Sequence, residues 1–100
     1  MPDKPPTNEL LQREISATPD EFRRGLLLAF PGQVEATEHT CLVTTATTAM
    51  EIRLNAGSPR IIAKLRLPTL QISIRFTAGD TAARQEMLAH MDRAMHRGGG

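Results

Sequence analysis

Three groups of side chains in this 100-residue chain have types and spacings that could do chemistry. The first is a set of cations, Arg53, Arg60, Lys64, Arg66 and Arg75, at the polar positions of alternating stretches. That alternation places them together on one face of a sheet, with Glu51 as their only opposing acid. Such a face would bind an anion or nucleic-acid phosphates, or would be the wet side of an antiparallel sheet. Phe22, Phe30 and Phe76 are the only aromatic residues. Without exposed aromatics, bases have no stacking platform, and phosphate contact and shape would have to dominate. The second group is Met87, Met91 and Met95, a stripe along one helix face. It reads as core filler or as an adaptable surface for an apolar ligand held between helix and sheet.

The third group is His39, Cys41, His90 and His96. The last two are six residues apart, which on a helix means about 9 Å along the axis and roughly 120° around it, so they cannot share one metal ion. No metal site and no cofactor are expected. No catalytic residue is expected either. Cys41 falls in a strand without an evident base, the serines and threonines have no nucleophile elbow or triad context, and Glu86 and Asp92 read as solvated helix charges.

A formal net charge of +1 argues against a general polyanion magnet, so any electrostatic function must come from how charge is distributed. Cys41 is the only cysteine, which precludes an intramolecular disulfide and suits a reducing compartment. Met1-Pro-Asp-Lys-Pro-Pro lacks the apolar core of a signal peptide, and the aliphatic run from Leu26 to Phe30 is too short to span a bilayer. A cytoplasmic protein with no membrane partner is the expectation.

The elements that would position these groups follow from local signals. Residues 1–9 are proline-rich and read as a disordered leader, residues 10–97 as a single domain, and residues 98–100 as a flexible glycine tail. Residues 10–16 suit either an edge strand or the start of a helix. Thr18-Pro19-Asp20-Glu21 is a capping box with proline at the first helical position, and it starts a helix that Pro31-Gly32 stops. Phe22, Leu26, Ala29 and Phe30 form its buried stripe. Val34–Thr37 and Cys41–Thr45 read as a hairpin, and Met50, Ile52 and Leu54 as the core face of the next strand. For residues 60–77 the alternation predicts a hairpin folding at Pro68-Thr69. It pairs Leu67 with Leu70, Leu65 with Ile72, Ala63 with Ile74 and Ile61 with Phe76. One long bent strand is the alternative. Asp80 or Thr81 would cap a long C-terminal helix.

The fold class expected is α+β: an antiparallel sheet of about five or six strands, with a shorter N-terminal and a longer C-terminal helix on one face. The order, one strand, one helix, four or five strands, one helix, resembles helix-grip lipid-binding domains and each half of the TATA-box-binding protein. That resemblance lies in element order and implies a curved sheet covered on one face by helices. The terminal Arg97-Gly98-Gly99-Gly100 is similar to the diglycine tails of ubiquitin-like modifiers. It departs from them in its third glycine and in following a helix, and helix capping accounts for it. The expectation for function is a non-enzymatic binding or interaction module that holds an apolar ligand or self-associates, with a homodimer or another protein as partner. Its rival is anion or nucleic-acid binding through the basic face.

Overall fold

The computed structural model describes the backbone of residues 10–99 and the side chains of residues 10–95. The expected leader over 1–9 and the last glycine lie outside the described residues. In chain order the elements are β1 (Leu10–Ile15), α1 (Pro19–Ala29), β2 (Val34–Ala36), β3 (Thr40–Thr44), β4 (Ala49–Ala56), β5 (Arg60–Ile62), β6 (Leu65–Leu67), β7 (Leu70–Ala78) and α2 (Thr81–Gly99). The expected α+β class is therefore the observed one. Residues 10–15 are strand rather than helix. The backbone of α2 stays helical through Gly98 and Gly99, beyond the point where glycine capping predicts its end.

Thr18 caps α1 as its sequence requires. Its hydroxyl accepts from the Glu21 amide at 3.1 Å, and the Glu21 carboxylate accepts from the Thr18 amide at 2.9 Å. Asp80 does the same for α2, accepting from the Ala83 amide at 2.8 Å. Gly79, at φ 110°, makes the turn into that helix, and a Cβ there would lie 2.8 Å from Thr48 Cγ2.

Five strands form one antiparallel sheet in the order β1-β7-β4-β3-β2. Its centre is the β4–β7 pair, in which Met50 faces Phe76, Ile52 faces Ile74 and Leu54 faces Ile72. These six side chains are buried on the face covered by the helices. They pack with Cys41 and Val43 of β3, Phe22 and Leu26 of α1, and Met87 and Met91 of α2. Polar contacts fasten the helices around this core. Arg13 of β1 pairs with Asp92 of α2. His90 Nε2 lies 2.7 Å from the Ala29 carbonyl, which can only accept, so the imidazole donates and satisfies an end carbonyl of α1. The Phe30 ring meets the same imidazole edge-on.

The hairpin expected at Pro68-Thr69 does not form. Residues 57–69 are an excursion between β4 and β7, in which β5 and β6 make a separate two-stranded ribbon. Its pairs are Arg60 with Leu67, Ile61 with Arg66 and Ile62 with Leu65. Ile61 and Leu65, expected in the core, are exposed. The expected pairing of residues 61–67 with β7 and the observed pairing of β4 with β7 both match apolar residues with apolar residues, so alternation could not choose between them. Burial chose, because β4 and β7 are long enough to put three apolar pairs beneath two helices. The prolines reinforce the choice. Pro59 and Pro68 flank the ribbon, and neither can donate to a sheet ladder.

Candidate functional site

The ribbon begins at a fastened neck. The Gly57 amide donates to the Thr69 carbonyl at 3.0 Å, extending the β4–β7 ladder by one bond. The Thr69 hydroxyl donates to the Ser58 carbonyl at 2.7 Å. Glycine suits this closure, since a Cβ at residue 57 would sit 2.6 Å from Thr69 Oγ1 and displace that side chain. Beyond the neck, Ala63 and Lys64 make the turn, with Ala63 in the left-handed region at φ 55°. Among the described residues, the extensive contacts of β5 and β6 are with one another. An ion pair between Arg60 and Glu14 of β1, 3.5 Å long, reaches back to the sheet.

Two features define the ribbon chemically. Ile61, Ile62 and Leu65 are 69%, 51% and 62% exposed, an apolar load on an element that has no core of its own. Arg60, Lys64 and Arg66 are exposed beside them, and residues 57–69 contain no acid. Because residues paired across a ribbon share a face, Arg60, Ile62, Leu65 and Leu67 lie on one side and Ile61 and Arg66 on the other. Lys64 stands at the tip.

The five cations expected on one sheet face are thus divided. Arg53 and Arg75 do lie on the face away from the helices, where they line a depression of about 220 Å³ with Leu10, Glu51, Asn55 and Ser73. Arg75 Nη2 is 3.9 Å from Glu51 Oε1, and its buried Nε has no hydrogen-bond partner. Arg60, Lys64 and Arg66 are carried off on the ribbon. The register also sets Glu14 and Glu35 on the same face as Glu51, so this side of the sheet has mixed charge. The alternation of residues 60–67 matches that of a strand in the main sheet, which would merge two surfaces into one. The signal that separates them is Ile61-Ile62: two adjacent large aliphatic residues break the alternation and must point to opposite sides.

The methionine stripe fills space. Met87 and Met91 are buried in the core, and Met95 is partly buried over Gly25, where a Cβ would come within 2.8 Å of its sulfur. Another surface cavity, of about 290 Å³, opens at one end of the helix layer and includes Phe30, Thr47, Thr48, Met87 and His90. Met91 and Met95 do not line it. Cys41 is fully buried, and burial pushes its thiol pKa upward, with the Arg23 charge pulling the other way by less. Among the described residues, no three His, Cys, Asp or Glu side chains converge on a point that could hold a metal. No described helix is long and apolar enough to cross a membrane. No family model matches this chain, and no curated protein or solved structure is significantly similar to it.

Proposed function

We propose that this protein is a non-enzymatic binding module whose contact element is the β5–β6 ribbon. The observation that carries this reading is the exposure of Ile61, Ile62 and Leu65 on an element whose extensive contacts are internal. A lone two-stranded hairpin is marginal in water, and a covering surface supplies the apolar burial that it lacks. Fully burying one such side chain is worth about 1.5–3 kcal/mol, so covering the Ile62 and Leu65 face supplies part of the driving force for association, and the neighbouring cations must supply the rest. The alternative of an apolar ligand held between α2 and the sheet has less support, since Met87 and Met91 already occupy that space. Self-association of ribbon on ribbon is opposed by the three cations that each copy would present. The single, buried Cys41 suits a reducing, cytoplasmic setting.

The experiment is excision. Ala56 and Leu70 are paired across β4 and β7, so an Asn-Gly turn can replace residues 57–69 and close the same hairpin. The shortened chain should melt cooperatively within a few degrees of the parent and lose the parent's retention on immobilised heparin, while sedimentation of both chains reports any self-association that depends on the ribbon. A shortened chain that associates as the parent does would defeat the reading.

A further inference from the structure

We infer that the ribbon's partner is double-stranded DNA, entered tip first through a groove. This rests on the binding-module reading above and names the chemistry of its partner. Charge is the first ground. The chain has 12 basic and 11 acidic residues, yet the excursion holds three of the cations and no acid. Acids therefore outnumber bases over the rest of the chain. The excess of positive charge is local to the ribbon, which directs the ribbon, and not the sheet, toward a polyanion.

The placement of those cations selects the kind of polyanion. Arg60 and Arg66 lie on opposite faces of the ribbon, and Lys64 is in the turn. An element that enters an anionic bilayer keeps its apolar residues foremost and its cations behind them. Here the leading residue is a lysine, whose ammonium would have to enter hydrocarbon first. A groove between two phosphate backbones fits the same arrangement without that cost. Arg60 and Arg66 meet opposite walls, and Lys64 reaches the groove floor, where guanine O6 and N7 accept hydrogen bonds. The major groove of B-DNA, about 12 Å wide, admits a two-stranded ribbon. The deep, narrow major groove of A-form RNA does not. Ile61, Ile62 and Leu65 then pack on sugars and thymine methyl groups. The pair between Arg60 and Glu14 is substantially exposed, so it yields readily to a phosphate.

The test is fluorescence anisotropy of the full chain with a labelled 20-base-pair DNA duplex, the same duplex as RNA, and vesicles containing phosphatidylserine. Two phosphate contacts, from Arg60 and Arg66, give a slope of log K against log salt of about −1.8, or roughly a twelve-fold loss of affinity between 50 and 200 mM salt. The combined variant Arg60→Gln, Lys64→Gln, Arg66→Gln should bind DNA at least ten-fold more weakly with an unchanged thermal melt, while Arg53→Gln stays within two-fold of the parent. Ile62→Ser with Leu65→Ser should weaken DNA binding and leave the salt slope unchanged. Equal affinity for RNA and DNA duplexes would overturn groove entry. Binding to vesicles but not to DNA would assign the ribbon to a membrane surface and overturn the inference. Ribbon-dependent self-association without DNA binding would overturn it while leaving the binding-module reading intact, and association that survives excision would defeat both.

Discussion

Ile72 shows how much one position can carry in this domain. It stands on β7, an interior strand, between Leu54 of β4 and Arg13 of β1, and is 1% exposed. Truncation to alanine removes buried methyl groups and leaves a cavity in the middle of the sheet. Ile72→Ala should cost about 2–5 kcal/mol, read from urea melts. Cys41 makes a different kind of prediction, because its burial raises the folded-state pKa above the unfolded one. Below about pH 8.5 the thiol is protonated in both states and its contribution to stability is complete. As pH rises from there through the raised folded value, only the unfolded chain releases the proton readily, so stability falls. Cys41→Ala should therefore flatten the alkaline limb of a stability-against-pH curve, whatever its effect at neutral pH. An unchanged slope would mean that the thiol is not held protonated by the fold. These positions were partly legible in sequence, since alternation marked Ile72 as buried and placed Cys41 in a strand. Alternation could not identify the strands that flank Ile72.

Capping and periodicity are local, and the elements that depend on them follow the sequence closely. The capping box of α1, the β2–β3 hairpin and the buried face of β4 are all where near-neighbour chemistry puts them. The ribbon is the element where local chemistry misled. Its turn residue Ala63 has φ 55°, a conformation that costs an L-residue roughly 1–2 kcal/mol and glycine almost nothing. Ala63→Gly should lower that cost in the folded ribbon, although glycine's greater freedom in the unfolded chain offsets part of the gain. The expected outcome is slower amide hydrogen exchange at residues 60–67, with exchange in β4 and β7 unchanged. If protection spreads equally to the central strands, the ribbon and sheet open together, and the ribbon is not an independent appendage.

At the scale of the whole molecule, the division of labour is between a sheet with one covered face and a ribbon that the core does not use. The molecule measures 52 × 32 × 23 Å, and its radius of gyration is 14.3 Å, against about 13 Å for a compact chain of this length. Excision of residues 57–69 should therefore cost little stability and remove association, because core and contact surface are built from different residues. Element types, helix caps and most of the core were determined by the sequence itself, through interactions that reach only a few residues along the chain. Which strand lies beside β7, and hence whether Arg60, Lys64 and Arg66 share a surface with Arg53 and Arg75, was decided only in three dimensions. Two pairings satisfied the same alternation, and the one that buried more apolar surface beneath α1 and α2 prevailed.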